Sequence, residues 1–359
     1  MVTQEISCKS KWTLKEKGGE KMIKKISTVL GSFLVLFFFS SSAHAATCTQ
    51  TGFFRDGINM TAAVVNPSST VTGDVDATGC NVGVYYGPGH NGTVKNATIH
   101  GSNYYGVVVQ KANVDIKGSN IHNIGETPLN GSQHGVGIYY ATIAGVSNGD
   151  CSTGSTSGTV QNTSVSSYQK GGIVANCTGT SVTISNNVVS GQGPVDYIAQ
   201  NGIQVGYGAN ATVTGNTVTG NAYTGANQAA SGGILVVGGA CYGGDYTVGT
   251  LIQNNTVSGN DVGVYLSNLD ATCAPSNTKT NIKVNNNNIS NGALTNTTGN
   301  GATQGYQVGV SDQGDHDKIT NNKISGAGYN PENSSSSIFV NWIDVSVTNH
   351  AKVRANKFH

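Results

Sequence analysis

Three acidic residues fall within six positions, Asp312-Gln313-Gly314-Asp315-His316-Asp317, in a chain that is only 10% charged. His350 and Lys352 follow His316 and Lys318 at an interval of 34, and Lys283 precedes Lys318 by 35. Carboxylates that converge are hard oxygen ligands for a divalent ion, and a carboxyl beside an imidazole is an acid–base pair that can work across a sugar ring. Asp312, Asp315, His316, Asp317 and His350 are therefore the candidate catalytic residues. Lys283, Lys318 and Lys352, with Trp342 as the sole tryptophan beyond residue 45, are the candidate substrate contacts. The metal, if any, is unknown: calcium is an option, and no cofactor is required. A solvated loop between two strands is the alternative account of the cluster.

Two further groups carry less chemistry. His100 and His122 are 22 apart, with His90 and His134 nearby in sequence. Two imidazoles alone make a weak metal site, so surface histidines are the expectation. Six cysteines lie beyond residue 45, with no Cys-x-x-Cys or Cys/His cluster, which argues against thiolate metal binding.

The elements that position these groups are set by composition and period. The chain has 359 residues, 50 of them Gly and 40 Asn. Both types disfavour helix, and 37% apolar content with little net charge disfavours disorder. The only arginines are Arg55 and Arg354, so no basic footprint for nucleic acid exists. At the front, Lys24-Lys25, the apolar run Val29 to Phe39 and Ala43-His44-Ala45 have the order of a secretory signal peptide. The run is too short to span a membrane. We expect a mis-annotated upstream extension over 1–21, a signal peptide over 22–45 and one exported domain over 46–359. No transmembrane segment is then expected after cleavage, and six cysteines in an oxidising compartment predict three disulfides. The stretch up to residue 45 holds seven of the 19 basic and three of the 18 acidic residues, so the remainder has a net charge of −3.

A seven-residue pattern recurs along that domain: Val94 to His100, Ile116 to His122, Val160 to Ser166, Ile184 to Ser190, Val213 to Thr219, Ile252 to Ser258, Val284 to Ser290, Ile319 to Ser325 and Val353 to His359. Its fourth position reads Ala97, Ser119, Thr163, Asn187, Asn216, Asn255, Asn287, Asn322 and Asn356. Between copies stands a Gly-apolar-x-apolar element, as at Gly106, Gly172, Gly202, Gly233, Gly263 and Gly309. Short strands recurring at this period predict a solenoid, in which only stacking buries the apolar faces.

The pattern resembles the right-handed parallel β-helix proteins of the pectate-lyase-like superfold, over roughly residues 55 to 359. The resemblance implies an all-β, single-stranded β-helix of about nine coils. It also implies that Asn187, Asn216, Asn255, Asn287, Asn322 and Asn356 stack and bond from coil to coil, and that Val189, Val218, Val257, Ile289, Ile324 and Phe358 stack in the core. Equivalent residues on adjacent coils would then sit about 4.8 Å apart, within reach of a disulfide. Cys241 and Cys273 share the 32-residue offset of Ile252 and Val284, so they should pair. Cys151–Cys177 and Cys48–Cys80 complete the set.

Activity carries over poorly from the resemblance. A lyase of this kind uses a basic residue on the central strands, and Arg55 and Arg354 lie at the two ends of the sequence. A hydrolase expects carboxylates near a His-Gly turn; His134-Gly135 is present without them. An epimerase expects Asp and His near Tyr, which only the 312–317 cluster approaches. Insertions at 122–133, 191–200, 220–231, 291–305 and 326–337 should line one edge, carrying or adjoining Tyr197, Tyr207, Tyr223, Tyr306 and Tyr329. The expectation is a secreted, monomeric β-helix that binds an extracellular polysaccharide and, if an enzyme, is a polysaccharide lyase, glycoside hydrolase or epimerase. The alternative is a non-catalytic surface or matrix protein with a structural or adhesive role.

Overall fold

A computed structural model describes residues 47–144, 151–225, 229–292, 306–326 and 341–359. The expected extension over 1–21 and signal peptide over 22–45 lie outside the described residues, as do most of the 291–305 and 326–337 insertions. Among the described residues no helix is long and apolar enough to cross a membrane.

Each mid-chain coil has three strands. One such coil consists of Gly171–Asn176, Thr180–Ser185 and Val188–Ser190; the next repeats them as Asn201–Gly206, Asn210–Thr214 and Thr217–Thr219. Parallel pairing is in register from coil to coil, with Ile173, Ile203, Ile234, Val264 and Val310 in one row of the first sheet. The second sheet stacks Ile184, Val213, Ile252, Val284 and Ile319 in the same way. Every one of these ten side chains is fully buried in one continuous core. Burial of each stabilises the stack by about 1.5–3 kcal/mol relative to exposure. The chain is thus an all-β parallel β-helix.

The Asn ladder lies at the corner between the two short strands. The backbone N–H and side-chain Nδ2 of Asn216 both donate to Asn255 Oδ1 at 2.9 Å, and Asn187, Asn255, Asn287 and Asn322 each bond the next amide likewise. In the earlier coils Ser119 and Thr163 continue the ladder through their hydroxyls. The Asn-Asn doublets divide two tasks. The first residue, as in Asn186, Asn254, Asn286 and Asn321, has φ between +55° and +58°, a region Asn tolerates better than most residues. The second supplies the ladder amide.

The first sheet needs glycine for a different reason. From Gly83 through Gly106, Gly137 and Gly172 to Gly263, a Cβ would meet the carbonyl oxygen of the next coil's glycine at 2.5 to 2.7 Å. These residues form a column of close backbone approach, to which Gly83 and Gly137 belong in addition to the glycines expected from the sequence.

All three disulfides form as expected, Cys48–Cys80, Cys151–Cys177 and Cys241–Cys273, with Cα separations of 5.5, 5.3 and 4.9 Å. Val189, Val218, Val257, Ile289 and Ile324 are fully buried, but Phe358 is 49% exposed. Its expected core role fails because, among the described residues, its strand pairs with only one neighbour, through Ile324.

Candidate functional site

The 312–317 segment is not a solvated loop. Asp312 and Asp315 lie on the strand Tyr306–Asp315, and Asp312, Asp315 and Asp317 are all buried. Directly after that strand the chain turns through His316, at φ +60°, and His350 occupies the same turn one coil later at φ +44°. Left-handed turn positions favour Asn, Asp and His among residues with a side chain, so stacked turns place stacked imidazoles. The two rings lie 5.2 Å apart at 45°. Asp315 reaches both, with Oδ2 2.9 Å from His316 Nδ1 and Oδ1 2.8 Å from His350 Nδ1. Burial alone would raise the Asp315 carboxyl, but its contacts with the two imidazoles outweigh burial and hold it below its usual range.

Asp312 and Asp317 form a second, inner pair. Burial, and then the charge of Asp312, push Asp317 up to about 8, and burial also raises Asp312. Each carboxylate opposes ionisation of the other, so the pair resists carrying two charges. Asp317 Oδ1 accepts from Thr280 Oγ1 at 2.7 Å and from the Ile282 N–H at 2.6 Å, while Asp312 Oδ1 accepts from the Gly314 N–H at 2.8 Å. So the five candidate catalytic residues are adjacent but split into a solvent-edge trio and an interior acid pair that holds the turn.

The candidate substrate contacts are arranged differently. Lys283, Lys318 and Lys352 stand in register on successive strands of the second sheet, each two residues past the left-handed turn that holds Asn281, His316 and His350 respectively. Trp342 pairs with Gln307 near the start of Asn341–Asn349, the far end of that strand from His350. The fold does not bring Trp342 and the histidines to one place.

A groove on the outer face of the first sheet was not anticipated. Strands Thr49–Arg55 and Ile58–Val65 form an antiparallel hairpin joined at Asp56-Gly57, both with positive φ. Asp-Gly is the residue pair such a two-residue turn demands. Phe53 is fully buried, stacked on Tyr85 with centroids 6.1 Å apart and tilted against Tyr105 at 6.0 Å. This packing starts a second apolar cluster, outside the coil, that runs on through Val108 and Tyr139 to Val174. The hairpin carries Arg55 with it. Arg55 is thereby corrected from an end position to one wall of a cavity of about 370 Å³, whose floor and sides include Tyr105, Tyr139, Val174, Gln204 and Tyr207. Tyr242, from the short 3₁₀ segment Ala240–Tyr242, and the Cys151–Cys177 bridge close one side, and Gln133 and Lys170 stand at the other.

Lys170 is the most perturbed cation of the described residues. Its Nζ donates to the Ala199 carbonyl at 2.9 Å, and burial pushes its pKa down to about 8. Arg55 has Asp56 at 3.5 Å as a counter-charge, and among the described residues no carboxylate lines the cavity. Burial raises the phenols of Tyr105 and Tyr139, which keeps them protonated. Gln204 Nε2 donates to Asn176 Oδ1 at 3.1 Å across two coils of the floor. Of the tyrosines expected along the edge, Tyr207 lines this groove and Tyr223 is buried; the side chains of Tyr306 and Tyr329 lie outside the described residues. The missed signal was the x of Gly-apolar-x-apolar, which reads Val108, Tyr139, Val174 and Gln204 and is the outward row of the first sheet.

His134 is 8% exposed, with Nε2 2.6 Å from Glu126 Oε1 and its ring stacked on Tyr104 at 3.8 Å. It is a packed residue rather than a surface one.

Among solved structures, one titled "Glycoside hydrolase" aligns at TM-score 0.41 and 12% identity, over 70% of this chain and 38% of its own. A double mutant of the periplasmic alginate epimerase AlgG aligns at TM-score 0.36 and 9% identity, over 82% of this chain and 74% of its own. Another AlgG structure gives 0.32 and 10%, over 79% and 80%. The chain thus spans well under half of the glycoside hydrolase, and none of these likenesses assigns a role to a residue. The comparison with curated proteins finds no match. The family model described as "Right handed beta helix region" matches residues 56–242, more than half of the 359, and with the coil-to-coil register above it establishes that this chain belongs to the right-handed parallel β-helix family.

Proposed function

We propose that this chain is an exported β-helix protein that binds an anionic polysaccharide in the groove on its first sheet, with Lys170 placed to take a proton from the bound sugar. The observation that carries the reading is that Arg55 and Lys170 both line a groove whose described lining residues include no carboxylate, in a chain whose net charge beyond residue 45 is −3. Cations segregated against the overall sign point to an acidic ligand. Tyr105, Tyr139 and Tyr207 supply flat apolar faces for sugar rings, and the Gln204–Asn176 pair supplies hydroxyl partners. A uronate is the acidic sugar whose chemistry suits these groups. Its C5–H lies α to the carboxylate, Arg55 would neutralise that carboxylate, and an amine titrating near 8 has a large neutral fraction in mildly alkaline medium.

The test is binding of polygalacturonate and alginate by the tag-free exported chain, with neutral dextran as the contrast, followed by NMR detection of solvent deuterium at C5. Uronate polymers should bind and dextran should not, and R55Q with K170Q should weaken binding at least about tenfold. Equal affinity for dextran, or no loss in the double variant, would refute the groove reading. Binding without deuterium incorporation removes Lys170 as a base and leaves a polymer-holding surface or matrix protein.

A further inference from the structure

The Asp315, His316 and His350 trio belongs to no part of the groove and has a geometry of its own. We propose that it is a binding site for a first-row transition-metal ion, zinc in the first instance, which clips the last two described coils together. The three donor atoms lie within 4.8 Å of one another. Ligands held about 2.1 Å from such an ion are separated by roughly 3.0–3.4 Å. Asp315 meets the two imidazoles through different oxygens, Oδ2 2.9 Å from His316 Nδ1 and Oδ1 2.8 Å from His350 Nδ1, so the rings need to close toward a shared ion by about an ångström. His316 Nδ1 is buried, and its contact with Asp315 lacks hydrogen-bond alignment. That nitrogen is close enough to share a ligand with the carboxylate but is not satisfied by it.

The site is held from behind. The Asp315 side chain is 3% exposed, its N–H donates to Thr280 Oγ1 at 2.8 Å, and its carbonyl accepts from the Thr280 N–H at 2.9 Å. The histidine side chains are 40% and 70% exposed, so water can reach an ion and complete its shell. The other stacked pair provides the contrast. His100 and His122 lie face to face at 7°, and the carboxylates near His100 belong to Asp74, 67% exposed, and Asp76. No carboxylate joins both of those rings among the described residues, whereas Asp315 joins His316 and His350 across two coils. Two imidazoles with one carboxylate suit zinc, copper, nickel or cobalt and not calcium, which takes six to eight oxygens.

The test uses the tag-free chain, stripped with chelator and dialysed, titrated with zinc chloride and separately with calcium chloride. One zinc ion per chain is expected, with a rise in melting temperature and slower hydrogen exchange in residues 341–359. H316Q and H350Q should each weaken zinc at least about tenfold, and H100Q should leave it unchanged. Cobalt absorption of the unmutated chain reads nitrogen ligation without any variant. No bound zinc at about 100 µM, undiminished binding in H316Q/H350Q, or a preference for calcium overturns the proposal. Because the probe is the ion alone, these results are independent of whether the groove binds polysaccharide.

Discussion

Replacing Asn255 by Ala tests whether the ladder is an energetic spine or a decoration of the corner. The Asn255 amide makes four bonds. Oδ1 accepts from the Asn216 N–H and from Asn216 Nδ2, both at 2.9 Å, and Nδ2 donates to the Val213 carbonyl at 3.0 Å and to Asn287 Oδ1 at 2.9 Å. Asn255 is 1% exposed, so water does not substitute freely for what Ala removes. The Asn216 N–H is left buried and unpaired, at about 2 kcal/mol, and the three other bonds are worth about 1 kcal/mol each, for a loss near 5 kcal/mol. Asn356→Ala removes three comparable bonds at a partly exposed corner, where water replaces them, and should cost about 1 kcal/mol. Urea unfolding followed by circular dichroism, with the disulfides oxidised, gives the global comparison. Because solenoids unfold in sections, hydrogen exchange of the Asn216 amide gives the local one. A loss at Asn255 below about 1.5 kcal/mol, or no larger than at Asn356, would refute the argument that buried amides carry the corner.

Lys170 should make polymer binding depend on pH: affinity for a uronate polymer falls as pH rises through about 8, and K170R, which stays charged, abolishes that fall while also abolishing deuterium incorporation. The same shift affects stability. Between about 8 and the ordinary 10.5 the native lysine has lost a proton that the unfolded chain keeps, so stability rises with pH there, and K170M should flatten the rise in thermal melts. Gly202→Ala should destabilise by about 2–3 kcal/mol in urea titration, since its Cβ would meet Val218 Cγ1 at 2.4 Å and the Gly233 carbonyl at 2.6 Å; Gly57→Ala, an exposed turn position with none of the described residues within 4 Å of its Cβ, should cost less, about 1 kcal/mol from its φ of +76°.

The fold was legible because a β-helix writes its register into the chain. An interval of 32 between Ile252 and Val284 is a statement that they stack, and it carries Cys241 onto Cys273 without further information. By the same reasoning His316 falls on His350 and Lys318 on Lys352. A second ladder went unread: Asn221 donates to Asn260 Oδ1 at 3.0 and 2.9 Å, and Asn291 Nδ2 reaches the Asn260 carbonyl. It repeats the interval of 39 that separates Asn216 from Asn255, but five residues past Asn187 and Asn287 stand Gln192 and Gly292, so no run of Asn marks it.

Whatever departs from the period is what the sequence hides, and the groove is made of departures. Arg55 reaches it because a hairpin outside the repeat folds over the first coils, and Tyr242 because of an insertion after Gly232–Gly238. Reading by position along the chain placed Arg55 at an end. Position along the solenoid axis is a different coordinate, since Asp56-Gly57 reverses the chain and sets Arg55 against side chains from strands far downstream.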